Sequence, residues 1–333
     1  MPGSITTGRS FAGFAAAALL ALPAVSWAQA YPTKPITMIV PFAAGGPSDT
    51  LGRLTAEHLG RTLGQQVIVE NVGGAGGTIG TERASRATPD GYAIFQHHGA
   101  LTAAPALYAN LKYDTRTAFE YIGLINTGPM VLTSRKTLET QSAKDLLAHV
   151  RQGNDKVTIA HAGVGSNSYM CALMIIQSTG AKPGLVPYRG TGPAMQDLVS
   201  GQVDVLCDQA TTATPQIQAG TIKPYLVTSK QRLAALKDVP SYVEAGIADF
   251  EMTIWNGLYA PKGTPKAVLD RLHDALQKFI DDPKIVERFA LTGTVPFGKD
   301  MRSPDVHRKH VEAELVRYAA MVKAAGVKAQ EAK

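Results

Sequence analysis

Two glycine-rich stretches stand where a β-branched run gives way to a helical pattern, and each has the residue types to hold an anion through main-chain amides. The first is Pro41-Phe42-Ala43-Ala44-Gly45-Gly46-Pro47-Ser48-Asp49. It leaves the run ITMIV at 36–40 and opens a segment, 47–63, with Leu51, Leu54, Leu59 and Leu63 on one helical face. The second, Ala162-Gly163-Val164-Gly165-Ser166-Asn167-Ser168, has the same setting in the middle third of the chain. Glycine lets backbone approach a bound group closely, and the free N–H groups of a helix start point toward it. Two such loops on different lobes would grip one carboxylate from both sides with amides and small hydroxyls, and would need no arginine. Asp49 runs against this chemistry because its charge repels an anion; it reads as a cap of its own helix or a partner through water.

Other candidates sit at strand ends, which in open α/β sheets line the ligand crevice. His97 and His98 end the run YAIFQ at 92–96, and are either ligand contacts or a hydrogen-bonded loop pair. Arg189, in Tyr188-Arg189-Gly190, is the candidate for a second carboxylate or for an ion pair between lobes. Asp208 ends a further run of the same region, with the residues to Thr212 beside it. A third glycine cluster, Gly73–Gly80, contains Gly74, Gly76 and Gly80 in a G-x-G-x-x-x-G spacing. A dinucleotide loop would open the first βαβ unit and carry an acid roughly 20 residues on; this cluster follows the second strand, and Glu82 and Asp90 lie too near. G-x-S-x-G, H-E-x-x-H and the Walker loop are missing from the sequence, so no catalytic group, metal or cofactor is expected. His307 and His310, three apart on a polar helical pattern, read as a solvated face.

Alternating strands and helices must position these residues. Strand patterns at 67–70, 157–162, 185–188, 203–208 and 253–259 alternate with helical ones at 142–150, 167–178 and 193–200. Ser142 with Asp145 is a capping-box variant, and Pro265 and Pro304 stand at helix starts. Such alternation implies βαβ units: an α/β fold with mainly parallel sheets flanked by helices.

The 333 residues carry 33 Lys+Arg against 27 Asp+Glu, with 45% apolar content. This excludes disorder, a collagen-like chain and a disulfide scaffold, and suggests about two domains. The +6 charge is spread without a basic block, which favours small anions over nucleic acid. Residues 1–30 hold one charge, Arg9, then the apolar run Phe11–Val25 and small-x-small sites at Ser26–Ala28 and Ala28–Ala30. They read as a secretory signal peptide, with the mature start near Gln29 or Tyr31. No other segment is apolar for long enough to span a bilayer. Cys171 and Cys207 could pair after export, but the preferred reading is two separate buried thiols.

The segments YPTKPITMIVPFAAGGPSD, VIVENVGGAGGTIG, ATPDGY, AGVGSNS, VPYRGTGPAMQDLVSGQVD and WNGLYAPKGTP occur in this order. They closely resemble the tripartite tricarboxylate transporter receptors, also called the Bug or TctC family, over essentially the whole mature sequence. The resemblance implies a type II periplasmic-binding-protein-like fold with a cleft between two lobes. Lobe one would comprise 31–129 plus 254–333, and lobe two 130–253. It implies a carboxylate held by Phe42, Ala43, Ala44, Gly46, Ser48 and Asp49 from one loop and Gly163, Val164, Gly165, Ser166 and Asn167 from the other. Tyr169 stands where the family usually has a histidine, and the pair His97-His98 is less typical. These departures leave an aromatic acid and a dicarboxylate both open, the latter with Arg189 on its distal group.

The expected protein is therefore an exported, monomeric receptor. It captures a small organic carboxylate, closes on it, and delivers it to membrane permease subunits or a sensor protein. It needs no cofactor, spans no membrane itself and binds no nucleic acid. The alternative is a periplasmic enzyme, a dehydrogenase or hydrolase acting on a small carboxylic acid.

Overall fold

The computed structural model describes residues 1–4 and 31–331. The segment read as a signal peptide lies outside the described residues apart from its first four.

The first βαβ unit runs β1 (Ile36–Val40), α1 (Pro47–Leu63), β2 (Val67–Asn71), α2 (Thr78–Ser85), β3 (Ala93–His98) and α3 (Ala100–Leu107). The start of α1 follows from local chemistry: Gly46 precedes Pro47, whose fixed φ suits a first turn, and Gly64 in the left-handed region ends the helix. The 17-residue strand β4 (Phe119–Arg135) follows, then α4 (Ala143–Gly153), β5 (Thr158–His161) and α5 (Asn167–Thr179). Next come β6 (Gly184–Pro187), α6 (Thr191–Ser200), β7 (Val205–Gln209), α7 (Ala210–Gln218) and β8 (Ile222–Val227). The last part is β9 (Thr253–Pro261), α8 (Lys266–Asp281), α9 (Pro283–Leu291), β10 (Val295–Pro296) and α10 (Pro304–Ala324). Pro304 is at the first turn of α10 as expected, whereas Pro265 occupies the cap position before α8.

The pairings make two halves with one strand order. The first is β2-β1-β3-β9-β4, the second β6-β5-β7-β4-β8. In each, four strands run in one direction, and the antiparallel member is β9 in the first half and β4 in the second. Strand β4 belongs to both: Phe119–Pro129 pairs with β9, and Met130–Arg135 with β7 and β8. The chain returns beside it, where Thr228 Oγ1 accepts from Met130 N–H (2.9 Å) and donates to the Met252 carbonyl (2.5 Å). This is the α/β architecture of periplasmic binding proteins.

Helices α1 and α8 cover one face of the first half, burying Leu51, Leu59, Leu272, Leu276 and Phe279 against β1, β3 and β9. Val311, Leu315, Tyr318 and Val322, the apolar stripe of α10, are all buried. His307 overturns the solvated reading of its face: it is fully buried among Tyr121, Tyr259 and Trp255. Trp255 packs in the core, with its indole N–H donating to Glu314 (2.9 Å). The cysteines also correct the preferred reading. Cys171 on α5 and Cys207 on β7 form a disulfide, with Cα atoms 6.1 Å apart. Packing α5 onto β7 brings the two together across 36 residues of sequence, which spacing alone does not reveal.

Candidate functional site

Four helices begin around one small cavity where the two halves meet. From α1 come Gly46, Pro47 and Ser48; from α5, Ser166, Asn167 and Ser168; from α6, Thr191; from α7, its cap residue Gln209. Phe42, His98, Met130, Ala162 and Asp208 complete the wall. The room open to the centre of a water-sized sphere is about 20 Å³, enough for one water. Larger open grooves lie by α1 and β2 and by α4 and α5, and a further one opens at the junction beside the strand ends, lined by Gly74, Ala75, Tyr108, Gly163, Val164 and Arg189 among others.

The site's field comes from the backbone. Each helix brings its positive end to the cavity wall, and four such ends together favour negative charge there. Neither Lys nor Arg is among the described residues lining the cavity. Ser166 caps α5 by accepting from Tyr169 N–H and donates to the Gly163 carbonyl (2.7 Å), while Ser168 Oγ accepts from Ala162 N–H (2.9 Å). The loop is thus held in shape by its own hydroxyls.

His98 is buried and stacked on Phe42, and burial pulls its pKa to about 3, so the ring is neutral. Its Nδ1 accepts from Ala100 N–H (3.2 Å), which places its ring proton on Nε2. The Asn167 amide 3.2 Å from the same Nδ1 must then offer its NH2, and this contact joins the two halves. Asp208 Oδ2 accepts from Thr212 (2.5 Å), while burial raises the carboxyl's pKa against the pull of Thr212, Thr191 and the Gln209 N–H. Among the described residues, Asn167 Oδ1 has no hydrogen-bond partner.

Several expected site residues lie elsewhere. Asp49 accepts from Gly45 N–H (3.0 Å) and from Arg53 Nε (3.0 Å), closing its own helix start instead of meeting the cavity. His97 is buried behind the wall between Phe42 and Phe95. Tyr169 turns onto His161, with ring centroids 5.0 Å apart. The Arg189 side chain is exposed, and what it brings to the junction is its carbonyl, which accepts from Ala43 N–H (3.0 Å). Ala44, Gly163 and Val164 likewise make contacts between the halves: Ala44 meets Gly192, Gly163 meets Gly76, and the Val164 carbonyl accepts from Tyr108 (2.9 Å). Gly165 approaches Leu107 and Tyr108. Phe42, Gly46, Ser48, His98, Ser166, Asn167 and Asp208 do come together. Sequence reasoning missed Met130 and Thr191 as wall residues; Pro47, Ala162, Ser168 and Gln209 lie within the stretches it quoted without being singled out. Thr191 was legible by the rule that led to Asp208, since it opens a helix directly after a strand end.

The third glycine cluster has a packing role. A methyl group on Gly73 would lie 2.5 Å from the Arg189 carbonyl, and one on Gly163 2.5 Å from Gly76 N. Backbone meets backbone here, so the cluster is a landing surface for the second half's loops.

Comparison with known proteins gives the site a setting. A model described as the tripartite tricarboxylate transporter family receptor matches residues 51–327. A protein from the TAR-I ttuE-ttuC' intergenic region of Agrobacterium vitis is 44% identical over 306 residues, 92% of this chain and 88% of its own length. The solved structure of the periplasmic binding protein BugD is 43% identical with a TM-score of 0.88, covering 90% of this chain and 100% of that one. MatC from Rhodopseudomonas palustris, solved with bound malate, is 35% identical with a TM-score of 0.84, covering 88% and 100%.

Proposed function

The chain belongs to the tripartite tricarboxylate transporter receptor family, and from that premise we propose that it captures a small organic carboxylate in the periplasm for uptake by a membrane permease. The family is one of solute-binding receptors, which disposes of the enzyme alternative. The observation that carries the substrate class is the convergence of four helix starts on one cavity walled without Lys or Arg among the described residues. Amides aligned this way stabilise a carboxylate by dipole and hydrogen bond together. The malate held by MatC supports the same class.

The two sheet halves act as lobes, 31–129 plus 254–333 and 130–253. They part to admit ligand and close because the ligand contacts both. Side-by-side crossings near Met130 and Met252 support this division. Among the described residues no helix is long and apolar enough to cross a membrane. In this reading delivery passes to separate membrane permease subunits, and the receptor acts as a monomer. Export rests on the signal-peptide pattern of residues 1–30. Mass spectrometry of protein recovered from periplasmic extract should find a first residue near Gln29 or Tyr31; a retained Met1 contradicts export by cleavage.

The test of ligand capture is thermal unfolding of the mature protein against mono-, di- and tricarboxylates, aromatic ones included. A true ligand at 100 times its Kd adds about 2.7 kcal/mol of stability. Bulky replacements at Gly46 and Gly165 together should abolish that shift. Failure of every acid to raise the melting temperature overturns the proposal.

A further inference from the structure

Resting on that reading, we propose that the segment following α10 anchors a latch: Gln330 fixes Tyr108, and the Tyr108 hydroxyl holds the Gly163–Ser168 loop once the halves have closed on an acid.

Local chemistry aims this segment. Gly326 takes the left-handed conformation (φ 64°), and its N–H donates to the Lys323 carbonyl (3.1 Å). Val327 N–H reaches back to the Val322 carbonyl (3.4 Å). In this kind of glycine stop the residue after the turn packs on the last apolar turn of the helix, and Val327 and Val322 join one apolar cluster. The chain is thereby led alongside the end of α3. There Gln330 N–H donates to the Leu107 carbonyl, and the Gln330 carbonyl accepts from Ala109 N–H, both at 2.9 Å. These two bonds flank Tyr108, whose own N–H donates to the Ala104 carbonyl (3.0 Å). The Tyr108 backbone is thus held on both sides by a segment that joins it from the far end of the sequence.

From that fixed point the side chain crosses the junction. The ring is buried, and the hydroxyl donates to the Val164 carbonyl of the second half. Burial pushes the hydroxyl's pKa up to about 12, so it keeps the proton it donates. Leu107 and the Tyr108 ring also close over Gly165, where a methyl would lie 3.3 Å from Leu107 Cδ1 and 3.7 Å from Tyr108 Cε2. The same loop continues directly into Ser166 and Asn167 of the cavity wall. Gln330 and Glu331 are exposed and line the open groove at the junction together with Tyr108, Gly163 and Val164. Removing them takes nothing from the core. A bond made only after closure slows dissociation and leaves association alone.

Binding kinetics of the mature protein with malate, succinate and adipate, beside the wider carboxylate panel, test this. Tyr108→Phe keeps the ring and removes the donor; dissociation should become about two- to tenfold faster, the range for one neutral hydrogen bond, with association unchanged. A chain stopped after Lys328, which lacks the Gln330 anchor, should shift dissociation in the same way, and so should Gln330→Pro, which removes only the N–H. Thermal melts establish that each variant is folded. Tyr108→Phe combined with the shortened chain should release acid no faster than the faster of the two single changes, because both act through one hydroxyl. Dissociation unmoved by Tyr108→Phe while an acid binds overturns the latch and leaves the receptor reading intact. Single effects that multiply in the combined variant overturn it too, since the segment would then act apart from Tyr108. No acid of any kind binding to the unaltered protein overturns the receptor reading itself, and the latch with it.

Discussion

Histidines 97, 98 and 307 are buried, and burial depresses the pKa of each, to about 3 for His98 and well below the usual value for the other two. His161 is drawn down to about 4 for the same reason. Below about pH 6.5 the unfolded chain binds protons that these folded imidazoles refuse. Stability therefore falls as pH drops from about 6.5, by about 1.4 kcal/mol per pH unit for each such histidine. Asp204 acts in a lower window. The Arg135 guanidinium and the Thr158 N–H and hydroxyl hold its carboxyl below the usual range, so its contribution is lost only as pH falls through the carboxylate region. Asp208, raised by burial, works in the opposite sense and partly offsets the loss. Urea midpoints should decline steadily from pH 6.5 to about pH 5; a flat profile would mean that these rings are protonated when folded. The types and positions of these residues were legible in the sequence, but their burial was not. His307 sits in a polar pattern, and it is buried because β4, β9 and α10 close over it from distant parts of the chain.

The loops at strand ends meet across the junction only because glycines face glycines. A methyl on Gly192, in the first turn of α6, would stand 2.9 Å from Gly45 C and Gly46 N, backbone atoms that cannot step aside. Gly192→Ala should therefore disfavour the closed arrangement alone. Alanine is also the better helix former, by up to about 1 kcal/mol in a helix interior. The expected result is a melting temperature that is unchanged or raised, with ligand affinity at least tenfold weaker. The small-angle scattering radius should then stay the same with and without ligand. Normal affinity in this variant would show that the junction yields at α6. At this scale the sequence was generous: Pro47, Ser166, Ser303 and the glycines after strands mark helix starts by local chemistry. Which glycine approaches a ligand and which approaches another loop is a matter of opposing surfaces. Gly163, Gly165 and the Gly73–Gly80 cluster have the composition of binding loops, yet they mate the two halves.

Across the whole molecule, β4 is the spine that both halves share, and the Cys171–Cys207 bridge stiffens only the second of them. Replacing both cysteines by alanine removes a cross-link over 36 residues and should cost about 3–4 kcal/mol of unfolding free energy. Because the bridge joins α5 to β7 within one half, ligand affinity under native conditions should change little. A large affinity loss without a stability loss would instead assign the disulfide to shaping the cavity wall. Strand β4 was hard to read in the sequence: the run from Phe119 to Pro129 has no clean alternation because both faces are covered.

The sequence by itself determined the order of strands and helices, the helix starts, the α/β class and the loops that end strands. These rest on hydrophobic period and on residues that cap or turn the backbone nearby. Only the tertiary structure decided which members of those loops face the cavity, that the cysteines pair, and that the Arg189 carbonyl accepts from Ala43 N–H. Each of these depends on surfaces meeting from far apart in the chain, as Ala43 meets Arg189. A periodic pattern tells which face of an element is apolar, and it carries no record of what will cover it.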